Sequence, residues 1–136
     1  MGLAERRASR TFQEKSFPAL KADIEKLAGF PVALEVNWDQ LAKESYADGY
    51  DDNWRKVYFQ PVLDALKSIC RDDLGKEALQ AGLKKIIFQN TKATYSAEAA
   101  ISFTGGELLI DHDPCTNVDY VKDRADAVQK VLEKGL

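Results

Sequence analysis

The sequence contains few of the residues on which enzymes and metalloproteins usually depend. It has one histidine, His112, and two cysteines, Cys70 and Cys115, which lie too far apart along the chain for a CxxC motif. None of the GxGxxG, P-loop, GxSxG or HExxH patterns occurs either. These absences exclude the common signatures of nucleotide binding, serine hydrolysis and zinc chemistry, so the sequence predicts no cofactor and no metal ion. The cysteines are interpreted as free thiols in a reducing compartment.

Long apolar runs and clusters of basic residues are also missing. No apolar stretch approaches the roughly 18 residues that a membrane-spanning helix needs, and the N-terminal segment has no apolar signal-peptide core. The formal net charge is −3, and the lysines and arginines form no stripe that would neutralise phosphates. We therefore expect a cytoplasmic protein that contacts neither membranes nor nucleic acid.

The composition that remains is that of an ordinary globular protein. Hydrophobic residues make up 45% of the chain and charged residues 30%, a balance that supports a buried core and argues against disorder. A length of 136 residues fits one domain. We predict a single domain over residues 1–136, in which residues 1–12 form a mobile N-terminal tail.

Hydrophobic periodicity predicts both helices and strands. Apolar residues at helical spacing indicate helices before Gly29, over residues 51–71 and after Pro114, with a kink at Pro61 because proline lacks a backbone N–H. Alternating and apolar runs predict four strands, at 32–37, 84–90, 97–104 and 107–112. The fold class is therefore α+β, with two layers. We expect an antiparallel sheet of about four strands, one early strand plus a C-terminal three-stranded meander, packed by helices.

The most distinctive local pattern is a β-hairpin that turns at Gly105 and Gly106. A two-residue turn needs positive φ at both positions, which glycine adopts without strain. This turn places Ile101 opposite Ile110. Because alternate residues of a strand share a face, His112 is expected on the same apolar face as Ile110.

The string "IDHDPCTN" looks like a metal or catalytic site, but strand geometry separates its groups. Asp111 and Asp113 point away from the face of His112, whereas metal ligands must converge. We interpret His112 as a buried residue at the rim of the core, with one ring nitrogen bonded to a backbone group. The alternative is a small enzyme or metal-binding protein centred on His112, acting with Cys115 or Cys70.

The stretch "SYADGYDDNWRKVY" suggests an acidic, aromatic binding surface. Its aromatic residues are spaced by four, which aligns them along one side of a helix. Tyrosine and tryptophan supply much of the energy of protein interfaces, and aspartates would select a basic partner. The alternative is that Trp54 belongs to the core and the tyrosines cover its edge. The residues predicted to contact a partner are Tyr46, Asp48, Tyr50, Asp51, Asp52 and Trp54.

These patterns favour a non-enzymatic protein-binding or adaptor module that recognises a protein, in particular a basic one. The small enzyme or metal-binding protein described above is the second hypothesis. A structural subunit that pairs with a second copy as a homodimer is the third.

Overall fold

The computed structural model describes residues 2–136 and shows one open, four-stranded sheet packed by helices. The strands are β1 (Ala33–Val36), β2 (Lys85–Gln89), β3 (Ile101–Thr104) and β4 (Glu107–Asp111), and their order in the sheet is β1-β2-β4-β3. On the two central strands, alternate residues are fully buried while their neighbours are half-buried or exposed, except that Asp111 at the end of β4 is also buried. One face of the sheet therefore supplies the core.

The predicted α+β class is confirmed, but the prediction of an antiparallel sheet is wrong. β2 pairs in parallel with both β1 and β4, and only β3 and β4 are antiparallel. The chain between β1 and β2 passes through several helices, and such a crossover returns the next strand in the same direction. The predicted three-stranded meander fails because β4 lies between β2 and β3.

The hairpin has the predicted register. Ile101 pairs with Ile110, and Gly105 and Gly106 have φ values of 61° and 83°. The first strand is shorter than predicted because residues 97–100 form a short helix, α7 (Ala97–Ala100). Three of these four residues are alanines, which favour helix over strand.

Helices make up most of the rest of the chain. They are α1 (Leu3–Thr11), α2 (Phe17–Ala28), α3 (Trp38–Leu41), α4 (Tyr50–Trp54), α5 (Gln60–Ile69), α6 (Asp73–Gly82), α7 and α8 (Val121–Gly135), with a 3₁₀ turn at Ala47–Gly49. Most of the segment predicted as a tail thus lies in α1. Among the described residues, no helix is long and apolar enough to cross a membrane.

Two long helical segments each contain a π-helical turn ahead of a proline. The turn Phe12–Ser16 joins α1 to α2 two residues before Pro18, and the turn Arg55–Phe59 joins α4 to α5 two residues before Pro61. A proline ring crowds the carbonyl four residues earlier, which in both cases lies within the widened turn. The irregularity predicted at Pro61 takes this form. Phe12 and Phe59 contact each other, with ring centroids 5.7 Å apart.

Candidate ligand-binding cleft

Two of the six residues predicted to contact a partner lie in the core. The rings of Tyr50 and Trp54 are buried and stack with centroids 4.6 Å apart. Each also donates a hydrogen bond to a backbone carbonyl of the segment 41–43, the Tyr50 hydroxyl at 2.7 Å and the Trp54 indole at 3.2 Å. Both side chains therefore hold the backbone of residues 41–43 in place, and neither ring is accessible to solvent.

The other four predicted residues lie on the surface: Tyr46, Asp48, Asp51 and Asp52. Tyr46 is 47% exposed. Asp51 forms an ion pair with Arg55, and Asp52 forms one with Lys56, each with an N–O distance of 3.1 Å. The cations of the same helical segment therefore partly neutralise the acidic character of this surface.

Asp111 anchors the loop that follows β2. Its buried carboxylate accepts hydrogen bonds from the backbone N–H of Thr91, at 2.8 Å, from the Thr91 hydroxyl and from the Gln89 amide, at 3.2 Å. Burial alone would raise the pKa of Asp111, but these hydrogen bonds outweigh it and lower the pKa. The carboxylate is therefore ionised and holds the loop in place at neutral pH.

The carboxylate of Asp113 connects Lys43 to the turn that follows β4. Its carboxylate accepts hydrogen bonds from the Lys43 amine, at 3.2 Å, and from the backbone N–H of Cys115, at 2.8 Å, while its own N–H donates to the carbonyl of Thr94 at 2.7 Å. Burial opposes ionisation, but these partners lower the pKa of Asp113. The Asp111 carboxylate thus binds the loop that follows β2, whereas the Asp113 carboxylate binds Lys43 and the turn at Cys115. No group of three or more His, Cys, Asp or Glu side chains within residues 2–136 is arranged to hold a metal ion.

His112 is buried, as the sequence predicted, with an exposed fraction of 0%. Its Nδ1 lies 2.6 Å from the backbone carbonyl oxygen of Asp113. A carbonyl oxygen only accepts hydrogen bonds, so Nδ1 carries the proton. Burial lowers the pKa of His112, and the positive charge of Arg124 lowers it further against the opposing effect of the Asp113 backbone. The neutral ring therefore has an unprotonated Nε2, and no described residue donates a hydrogen bond to it.

Arg124 is the second buried polar residue of this region and is 1% exposed. Its guanidinium donates to the backbone carbonyls of Asn117, at 2.7 Å, of Lys56, at 3.1 Å, and of Val118. These carbonyl dipoles, rather than a carboxylate, stabilise the charge. Burial lowers the pKa of Arg124, yet a guanidinium stays protonated at neutral pH. Its Nε–H has no hydrogen-bond partner among the described residues.

His112 and Arg124 line the same cleft, between α8, α7 and the loop that follows β4. The cleft has a volume of about 680 Å³, within the range of roughly 300–1,000 Å³ typical of small-molecule sites. Ala97, Ile101 and Ala127 are among its lining residues and contribute apolar surface. His112 and Arg124 are 0% and 1% exposed, so they lie beneath the accessible surface of the cleft.

Aromatic and charged side chains surround the opening of the cleft. Tyr95 and Tyr120 are 62% and 58% exposed, so both rings are accessible to a ligand. Three carboxylates and two amines also line the cleft: Glu98, Asp123, Asp126, Lys130 and Lys134. The opening therefore carries charges of both signs.

Neither cysteine lines the cleft with His112. Cys70 is buried at the end of α5, and Cys115 is partly buried. Burial raises the pKa of both thiols, so both are protonated and weakly nucleophilic at neutral pH. The structure thus gives no thiolate partner for His112.

The sequence reasoning missed Arg124, although the sequence contains a signal for it. Arg124 lies four residues before Val128 and eight before Leu132, both of which are buried in α8. Residues at this spacing share one face of a helix. A charged residue on the apolar face of an amphipathic helix indicates a buried charge with specific partners.

The chain matches no family model, no curated protein and no solved structure. Inference about function therefore depends on the cleft itself. It has apolar walls and accessible aromatic rings, which suit the recognition of a small molecule.

Proposed function

We propose that the protein binds a small polar ligand in the cleft that His112 and Arg124 line. The observation that supports this proposal is a cleft of about 680 Å³ whose lining combines apolar side chains with the exposed rings of Tyr95 and Tyr120.

The remaining surface of the cleft also suits a ligand. Binding sites for small molecules are mostly apolar and contain a few polar groups that orient the ligand. Ala97 and Ile101 contribute apolar surface, while the accessible faces of Tyr95 and Tyr120 offer stacking surfaces for a ring.

Amide NMR of the nitrogen-15-labelled protein tests this proposal. The probes are toluene, phenol, benzamide, benzoate and glucose, each titrated separately. We expect at least one probe to shift the amide signals of residues around the cleft. Ala97→Trp, which fills the cleft, should abolish these shifts, whereas Ala99→Trp should not, because Ala99 is exposed on the same short helix and does not line the cleft.

Tyr120→Ala and Tyr46→Ala form a second matched pair. Each removes an exposed ring, but only Tyr120 lines the cleft. Tyr120→Ala should weaken probe binding and Tyr46→Ala should leave it unchanged. If no probe perturbs the cleft, or if the perturbed residues lie elsewhere, the proposal is wrong.

Protein binding through the surface around Tyr46 is the second candidate function. The exposed ring of Tyr46 and the exposed carboxylate of Asp48 favour it, and Asp48 forms no ion pair among the described residues. A lysine-rich peptide is the probe for a basic partner. It should shift the amide signals of residues 46–52 in the native protein, less so in Asp48→Asn, and equally in Tyr120→Ala. Shifts that survive Asp48→Asn unchanged would contradict this candidate.

A further inference from the structure

We propose that a second pocket, on the outer side of α1, binds the phosphate group of a small phosphorylated molecule through Arg6, Arg7 and Arg10. The pocket has a volume of about 460 Å³, and it shares no lining residue with the cleft of Tyr95 and Tyr120. The proposal therefore does not depend on the function proposed for that cleft.

The three arginines are neighbours on the surface of one helix. Arg10 follows Arg6 by four residues and Arg7 by three, and residues at these spacings have Cβ atoms roughly 5–6 Å apart. All three side chains are exposed, and all three line the pocket. Their guanidinium groups are therefore accessible to a ligand and close enough together to contact the same anion.

The charges of these arginines are hardly compensated within the protein. Among residues 2–136, the side chains of Arg6 and Arg7 form no ion pair and no hydrogen bond. Arg10 forms one ion pair, with Glu14, at an N–O distance of 3.9 Å, and the two side chains are 81% and 68% exposed. An ion pair between such exposed side chains contributes little to stability. A ligand could therefore replace Glu14 at small cost.

The sequence of α1 places like charges beside each other. No acidic residue lies three or four positions from Arg6 or Arg7, whereas Arg10 lies at that spacing from both. Pairs of like charge at this spacing destabilise a helix. An anion bound among the three guanidinium groups removes this repulsion. Local arrangements that cost stability are expected at functional sites, which supports a binding role for the cluster.

The chemistry of arginine favours a phosphate group. A guanidinium donates two parallel hydrogen bonds to a carboxylate or a phosphate. A carboxylate has two oxygens and one charge, so a single arginine is sufficient to pair with it. A phosphate monoester has three terminal oxygens and carries close to two charges at neutral pH, so it can accept hydrogen bonds from several arginines at once.

Two carboxylates, Glu14 and Asp39, also line the pocket and limit the ligands that it accepts. They repel every anion, so a singly charged ligand gains little, whereas a doubly charged phosphate gains more from the three cations. The cluster is also confined to one short helix. Nucleic acid requires a more extended basic surface, so the cluster suits a small phosphorylated molecule.

Amide NMR of the full chain at constant ionic strength tests the proposal. The probes are glycerol 3-phosphate, pyrophosphate and acetate, each titrated separately. We expect the two phosphates to shift the amide signals of residues 3–14 and of Asp39 in a saturable way. Both should bind at least about tenfold more tightly than acetate, because they accept hydrogen bonds from more than one arginine.

Arg10→Gln and Arg71→Gln form a matched pair. Each removes an exposed arginine, but only Arg10 lines the pocket. Arg10→Gln should lower the affinity for glycerol 3-phosphate at least about tenfold, and Arg71→Gln should leave it unchanged. Arg10→Gln should not lower the thermal midpoint of the free protein, because it removes two pairs of like charge. Arg7→Gln provides a second variant, for which the same loss of affinity is expected.

Three results would overturn the proposal. Equal affinity for acetate and glycerol 3-phosphate would show that the pocket does not recognise a phosphate group. An equal loss of affinity in Arg71→Gln would show that only the overall charge of the protein matters. Sedimentation with vesicles that contain phosphatidic acid tests the same phosphate on a membrane surface. Binding to these vesicles without binding to the soluble phosphates would make a membrane, and not a small molecule, the partner of the cluster.

Discussion

Nδ1 of His112 lies 2.6 Å from the backbone carbonyl oxygen of Asp113, and this contact determines which ring nitrogen stays unprotonated. The backbone on both sides of the ring is also fixed. The hydroxyl of Tyr58 donates to the carbonyl of His112 at 2.6 Å, and the N–H of Asp113 donates to the carbonyl of Thr94 at 2.7 Å. These contacts hold the ring in one orientation.

His112→Asn should remove part of the pH dependence of stability. The folded-state pKa of His112 lies below its ordinary value of about 6.5. Between these two values the unfolded chain holds a proton that the native ring does not, so the free energy of unfolding of the native protein falls as the pH decreases below about 6.5. Above that pH the residue contributes no pH dependence.

Urea unfolding at a series of pH values between about 7.5 and 5.5 checks this prediction. The variant should show a flatter profile in this range. Asp111 and Asp113 do not obscure it, because lowered carboxylate pKa values stabilise the fold at neutral pH and lose this effect only below about pH 5. Identical profiles for the two proteins would show that burial does not oppose protonation of His112.

Asp111→Asn should loosen the loop at Thr91. The neutral amide accepts weaker hydrogen bonds than the carboxylate, and we expect the free energy of unfolding to fall by about 1–3 kcal/mol at neutral pH. The difference should shrink as the pH falls through the folded-state pKa of Asp111, because the native carboxylate is then protonated as well. Hydrogen exchange of residues 91–95 should become faster. Asp48→Asn, which alters an exposed carboxylate, serves as the control, and an equal effect there would contradict the assignment.

Arg124→Met should destabilise the protein by at least about 3 kcal/mol, because three backbone carbonyls lose their donor. Arg124→Lys should be intermediate, since a single amine cannot reach all three oxygens. Lys130→Met removes an exposed cation from the same helix and should change stability by less than about 0.5 kcal/mol. Chemical denaturation measures all three. If the free energy of unfolding of Arg124→Met equals that of the native protein, the three backbone carbonyls do not depend on Arg124 for a hydrogen-bond donor.

Trp54→Ala and Tyr46→Ala should differ sharply in stability. Trp54 is enclosed by the core, so its truncation should cost about 3–5 kcal/mol. Tyr46 is exposed, and its truncation should cost less than about 0.5 kcal/mol. Thermal and chemical unfolding provide the comparison. A small loss for Trp54→Ala would show that this ring is not part of the core and would support the predicted aromatic binding surface.

The parts of the fold that were predictable depend on local patterns. The register at Gly105 and Gly106 follows from turn geometry and strand alternation, and so does the placement of His112 on the apolar face. The sheet order was not predictable in this way. Whether β2 pairs with β3 or β4 depends on contacts between distant segments, which a local pattern does not encode.

The candidate site was harder to predict than the fold. A spacing of four shows that Tyr50 and Trp54 share a helical face, but it does not tell which face is inside. Phe12, from the N-terminal helical segment, packs on Trp54 with centroids 5.0 Å apart and helps to bury it. Arg124 is held partly by the carbonyl of Lys56, which is distant in the sequence. Both features arise from tertiary packing.

The most direct test of the account is a pH titration of the His112 ring by nitrogen-15 NMR without any ligand. Our account predicts a neutral ring at about pH 6.5, protonated at Nδ1 and unprotonated at Nε2, with a midpoint below the ordinary value of about 6.5. A ring protonated at Nε2, or a midpoint at or above that value, would contradict it, because the Nδ1 contact with Asp113 and the burial of the ring would then not control its protonation.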